Sequence, residues 1–141
     1  MSGFLLDTNV ISELVRPKPD PKVTTWIDAT DENLLYLSVL TLGEIRKGIA
    51  SLRPSSRRIG LEAWLDSEVA LRFAGRILPI DQAVADRWGH IAARAAVARR
   101  LLPVIDGLLA ATALDYNLTL VTRNIQDVAA TGVPVFNPWM M

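Results

Sequence analysis

Four polar side chains in this 141-residue chain stand where strand-like apolar runs hand over to helix-like ones, and three of them are acids. Asp7 lies in FLLDTNVISEL, Glu44 in LSVLTLGEIRKGI, Asp106 in LPVIDGLLAATAL and Asn124 in LTLVTRNIQDVA. Large apolar residues (Leu5, Leu6, Ile105, Leu108) flank Asp7 and Asp106, so both acids are expected to be at least partly buried. A buried carboxylate is costly unless it is paired or metal-bound. Several brought together repel and raise one another's pKa values, and a divalent cation removes both costs. Oxygen donors without His or Cys suit Mg2+ or Mn2+, hard ions that keep several waters. Each residue also has a structural account. Thr41-Leu42-Gly43-Glu44 and Asn124-Ile125-Gln126-Asp127 have the form of a capping box. Asp106 suits the positive end of a helix dipole, and Asp7 could cap the first helix. The combination, not any one residue, points to a site.

The elements that must position these groups follow from periodicity and breakers. Short apolar runs at Gly3–Leu6, Leu34–Ser38, Arg76–Pro79, Leu118–Thr122 and Pro134–Phe136 predict strands. Helices are predicted over Asn9–Val15, Lys22–Ala29, Thr41–Leu52, Ser55–Phe73, Asp81–Leu101, Val104–Tyr116 and Asn124–Ala130, several of them closed by a proline. Strands alternating with helices indicate a three-layer α/β/α fold, a short parallel sheet with helices on both faces. Ligands of such sheets sit outside the carboxyl ends of the strands where strand order reverses. Asp7 and Asn124 directly follow strands, Glu44 follows one by a short turn and Asp106 opens a helix, which places all four along one edge.

The length is that of one domain, residues 1–141. Half the residues are hydrophobic, enough for a core, and no apolar stretch is long enough to span a membrane. No secretory signal opens the sequence, and the absence of cysteine excludes disulfides and thiolate metal sites. These features fit a cytoplasmic protein. Fifteen basic residues balance fifteen acids, so bulk charge does not draw a nucleic acid. Phosphate contacts would need a local patch, and Arg46 beside Lys47 and Arg123 beside Asn124 are the candidates nearest the acids. The lone His90 lies mid-helix with no nucleophile motif near it and is expected to be structural. Trp139 is expected to pin the C-terminus or to pack in a dimer.

LLDTNVISEL, TLGEIRKGI, VIDGLLAATA and TLVTRN resemble, in order, the motifs of PIN-domain proteins, and more narrowly the VapC-type toxins of bacterial toxin–antitoxin pairs. FAGRILPID and the terminal VFNPW resemble the FitB-type branch. The resemblance implies a Mg2+- or Mn2+-dependent endoribonuclease that leaves 5′-phosphate and 3′-hydroxyl ends. Asp7, Glu44 and Asp106 match its acidic positions. Thr8 and Asn9 match side chains that support the first Asp, and Thr122 matches a supporting hydroxyl. Asn124 departs from the pattern, because many relatives carry Asp there; the site loses one negative charge, and Asp127, one helical turn on, is a candidate to replace it. The implied partners are an RNA substrate, a cognate antitoxin and a second copy of the chain. A homodimer also follows from the apolar and alanine-rich surface of the helices over Trp64–Phe73 and Val84–Val97.

Two other acid-bearing α/β classes fail on single residues. A haloacid-dehalogenase-like phosphatase needs an acid where Asn9 stands, and a response-regulator receiver needs a late lysine, whereas no lysine follows Lys47. The remaining alternative is a PIN-fold protein without catalysis that binds RNA or a protein partner, a reading favoured by Asn124.

Overall fold

In the computed structural model, which describes residues 2–141, five parallel strands form one sheet in the order β3-β2-β1-β4-β5. They are β1 (Phe4–Leu6), β2 (Leu35–Ser38), β3 (Ile77–Leu78), β4 (Thr119–Val121) and β5 (Val135–Phe136). Apolar residues fill both faces of these strands because both faces are covered. Leu6, Leu35, Leu37 and Val121 pack in one cluster with Val10, Ile11, Val23, Ile27, Ile45 and Ile49. These last belong to α1 (Thr8–Glu13), α2 (Pro21–Ala29) and α3 (Val39–Ala50). Leu5, Leu78 and Leu120 face the other way, onto Leu109, Ala110 and Ala113 of α7 (Val104–Asp115). α6 (Gln82–Val97) packs outside α7 through Val84 and Ile91. The result is the α/β/α sandwich expected from the alternation of elements.

From β1 the chain builds outward through β2 to β3, then crosses back to lay β4 on the free side of β1. The order therefore reverses between β1 and β4. In register, Leu6 faces Val121, so the next residues, Asp7 and Thr122, emerge side by side at the carboxyl edge. The Asp7 amide continues the ladder by donating to the Val121 carbonyl at 2.9 Å.

Several boundaries differ from those the sequence predicts. α3 begins at Val39, not Thr41, because the Ser38 hydroxyl caps it by accepting from the Leu40 amide at 3.0 Å. Thr41 and Glu44 therefore form no capping box. The Thr41 hydroxyl is fully buried and lacks a hydrogen-bond partner, and the Glu44 carboxylate is left for other work. The predicted helix over Ser55–Phe73 is three pieces: α4 (Ser56–Ala63), a π-helical segment Trp64–Val69, and α5 (Ala70–Arg72). α6 stops at Val97, short of Leu101, where Arg99 takes a positive φ of 55°. After β4 the chain forms a 3-10 helix, Ile125–Thr131, ended by Gly132 at φ 75°. Trp139 is buried in the main core cluster and anchors the C-terminal segment. His90 lies exposed on α6, its Nε2 3.7 Å from Asp86. Among the described residues no helix is long and apolar enough to cross a membrane.

Candidate active site

Asp7 is the N-cap of α1 and only 8% exposed, and its two carboxylate oxygens are held from opposite sides. Oδ1 accepts from the Thr8 amide at 2.7 Å and Oδ2 from the Thr122 hydroxyl at 2.8 Å. Thr122 is itself fixed, accepting from the Asn124 amide at 3.1 Å and from Asn9 Nδ2 at 3.5 Å. Asn9 Oδ1 in turn accepts from the Arg123 amide at 3.4 Å. One strand end is thus clamped to the next through side chains of the first and last motifs. Burial raises the Asp7 pKa, the bonds from Thr122 and Thr8 pull it back, and Glu44 and Asp127 raise it further.

The Thr8 side chain does something the sequence does not reveal. Its hydroxyl donates to Glu44 Oε1 at 2.6 Å rather than to Asp7; only its backbone amide serves Asp7. Glu44 is thereby pinned from α1, across 36 residues of chain, with Oε2 left open.

Asp106 stands in the first turn of α7, half-buried, and accepts no side-chain or capping bond among those found. Burial and the charges of Asp7, Asp127 and Glu44 push its pKa up to about 6. Among the described residues no basic group acts on either Asp7 or Asp106. Gly107 is what lets α7 come close: a Cβ there would sit 3.0 Å from Trp88 Cδ1 and Nε1 on α6. A side chain at 107 would crowd Trp88 and loosen the α6–α7 contact beside Asp106, a constraint the sequence reading missed.

Asn124 is exposed and caps nothing with its side chain; its backbone amide serves Thr122. Asp127, three residues on, raises the pKa of both Asp7 and Asp106, as Glu44 does. Of the predicted phosphate contacts, Arg46 is tied to Asp66 on the π-helical segment. The Arg123 guanidinium lies 5.2 Å above the Trp139 ring.

The structure thus gathers Asp7, Glu44, Asp106 and Asp127 into one electrostatic unit at the switch point between β1 and β4. The donor set is oxygen only, which fits a hard divalent cation. The carboxylates do not stand at ligand spacing: among the described residues no three of His, Cys, Asp and Glu form a group able to hold a metal ion. Like charges brought this close repel, which is part of why the Asp7 and Asp106 pKa values rise.

A five-stranded parallel α/β/α sandwich with an uncompensated acidic edge at its switch point defines the class, and the chain belongs to the PIN domain family, whose sequence profile matches residues 4–130. Within that family it is 41% identical over 136 residues to Toxin FitB of Neisseria gonorrhoeae, covering 96% of this chain and 98% of that one. It is 38% identical to VapC ribonuclease Y4jK of Sinorhizobium fredii, covering 96% and 97% of the two chains. The crystal structure of FitAcB from Neisseria gonorrhoeae superposes with a TM-score of 0.94 at 40% identity, over 98% of this chain and 99% of the other.

Proposed function

We propose that the protein is a Mg2+- or Mn2+-dependent endoribonuclease, the toxin of a toxin–antitoxin pair, and that a cognate antitoxin inhibits it. The observation that carries the proposal is Asp7 acting on Asp106 at the switch point, both with raised pKa and neither with a basic neighbour among the described residues. The similarity to Toxin FitB and to a VapC ribonuclease supports RNA as substrate, and the likeness to FitAcB supports a protein partner.

Asp7, Glu44 and Asp106 would hold the cation, with Asn124 or Asp127 beside them. When bound, such an ion lowers the pKa of a coordinated water and offsets charge on the phosphate under in-line attack. The chain's own residues supply the rest. Thr122 and the Thr8 amide keep Asp7 oriented and pull its pKa back down against burial. The Thr8 hydroxyl occupies one oxygen of Glu44, so the other is the acceptor that orients the attacking water or takes its proton. Asp106, with its pKa pushed up to about 6 by burial and neighbouring acids, would gain most from an arriving positive charge. Of the two predicted phosphate contacts, Arg123 is the candidate, because Arg46 is held by Asp66. The apolar side chains of Val97 and Leu101, 86% and 89% exposed, and of Val104 beside them, support a homodimer.

Purified protein incubated with RNA and Mg2+ or Mn2+, beside its Asp7→Asn variant, tests the reading. Cleavage by the wild type and none by the variant is expected. Equal cleavage by both would mean a contaminant or a misplaced site. No cleavage by either, with RNA still bound, would favour the alternative of a non-catalytic PIN-fold binder, the reading to which Asn124 lends weight.

A further inference from the structure

We propose that the cleft between the α1–α2 connector and the C-terminal segment is a subsite for backbone phosphates of single-stranded RNA, a proposal that rests on RNA being the substrate. The cleft has a volume of about 440 Å³ and is lined by Glu13, Arg16, Lys18, Asp20, Arg123 and Trp139, among others. Its acids are already engaged. Glu13, 3% exposed, accepts from Arg16 Nη1 at 3.2 Å and from the Asp20 amide at 2.9 Å. Asp20 caps α2 through the Lys22 amide at 2.9 Å. Lys18 and Arg123 have no carboxylate partner among the described residues, so the cleft keeps unmatched positive charge.

Arg123 is held in place by the protein itself. Its guanidinium stacks on Trp139, its amide donates to Asn9, and its carbonyl accepts from Asn137 Nδ2 at 3.2 Å. Asn137 also accepts from the Trp139 amide at 2.9 Å, which fixes the ring beneath the guanidinium. Seating on the Trp139 ring restrains the otherwise exposed side chain, and a guanidinium over an aromatic face keeps its in-plane N–H groups available for a bidentate phosphate contact. Trp139 is 8% exposed, too little to stack on a base. The subsite therefore reads backbone charge and not sequence.

The acidic edge gives the cleft its purpose. Asp7, Glu44, Asp106 and Asp127 repel a polyanion, and the net charge of the chain is zero. Affinity for RNA must come from cations beside the acids. Arg46 is consumed by Asp66, whereas Arg123 adjoins Thr122, whose hydroxyl is bonded to Asp7.

The test is fluorescence anisotropy of a labelled oligouridylate with the wild-type chain in EDTA, where the RNA stays intact, across a range of NaCl concentrations. Each phosphate contact on a single strand contributes about 0.7 to the slope of log K against log salt. Arg123→Gln and Lys18→Gln should each lower the slope by about that amount and weaken binding several-fold at low salt. Arg123→Lys should keep the slope, which separates charge from packing on Trp139. Arg94→Gln, on α6, should match the wild type. Unchanged slopes in both cleft variants would overturn the subsite, as would an equal loss in Arg94→Gln. If the cleft variants instead bind RNA normally but lose the antitoxin, the cleft is a protein-docking surface and the proposal fails. Whether the wild type cleaves RNA with Mn2+ is read separately, so failure of the nuclease reading is not confused with failure of the subsite.

Discussion

Acids are treated in opposite ways at two places in this molecule. Glu32, in the 3-10 turn before β2, is gripped by Arg72 Nε and Nη2 at 3.0 and 2.9 Å and by Arg76 Nη2 at 3.3 Å. Both guanidinium groups lie over the Phe73 ring, at 5.5 and 5.3 Å. The Arg72 bond is the main reason the Glu32 pKa falls below its usual value. Asp7 has only the Thr122 and Thr8 hydrogen bonds to set against burial and other carboxylates, Asp106 has neither, and both pKa values rise. The fold has the means to neutralise an acid and uses it at Glu32. Leaving Asp7 and Asp106 without a base among the described residues at the sheet's switch point costs stability, as expected of a site that awaits positive charge.

The sharpest way to break this contrast is to remove one acid from each region. Asp7→Asn or Asp106→Asn should lower the rate of RNA cleavage on the order of 100-fold or more. Neither change should unfold the protein, and relieving repulsion should leave the melting temperature equal or higher. For Asp106→Asn the gain is about 1 kcal/mol at neutral pH, a figure discounted for its partial exposure to solvent. A variant that cleaves normally would remove that residue from the site. One that keeps its activity loss but melts far below wild type would show the acid to be structural.

The pH dependence of stability should differ in sign between the regions. The Asp106 carboxyl titrates near 6 in the folded chain and near 3.8 when unfolded. Between those values the native state holds the extra proton, so stability from this group is full below about pH 4 and is lost as pH rises through 6. Glu32 runs the other way. Its lowered pKa stabilises above the unfolded value of 4.5 and that support is lost as pH falls through the folded value. Calorimetric melts in EDTA should therefore show the gap between Asp106→Asn and wild type widening in favour of the variant from pH 4 to 7. Added Mn2+ should reverse the gap at pH 7. A gap independent of both pH and Mn2+ would end the claim that Asp106 is under electrostatic strain.

Glu32→Gln should cost about 0.5 to 1 kcal/mol, since the network is half in solvent. Cleavage should be untouched. An activity loss without a change in melting temperature would mean that the two regions are coupled, and the comparison would lose its footing.

What could be read from the sequence was whatever is local. The apolar runs ending at Asp7 and at Ser38 are strands because their residues are buried on both faces, and Val104–Asp115 is a helix because its Ala- and Leu-rich stretch begins just after Pro103. The placement of Asp7, Glu44 and Asp106 at one edge follows from the topology rule once the strands are right. What stayed hidden are contacts across distant chain: Thr8 to Glu44, the seat of Trp88 on Gly107, and Glu13 folded back on the Asp20 amide. None leaves a periodic trace. The start of α3 was misplaced because Ser38 and Thr41 are both good caps, and only the end of β2 decides between them.

The smallest effect concerns the fourth corner of the acidic edge. Asn124 occupies the position implied by the resemblance, yet its side chain caps nothing, while Asp127, exposed like it, acts on both Asp7 and Asp106. The 3-10 helix explains how: at three residues per turn, positions 124 and 127 lie on the same side. A carboxylate at either place can face the centre. Titration calorimetry with Mn2+ should then show Asn124→Asp binding a few-fold tighter than wild type and Asp127→Asn a few-fold weaker. The double variant should return close to wild-type affinity, because it moves the charge by one turn without changing its sign or number. If Asn124→Asp changes nothing, Asn124 lies outside the site. If Asp127→Asn changes nothing while Asn124→Asp tightens binding, the fourth corner is served by the Asn124 amide, and the acidic edge has three members, not four.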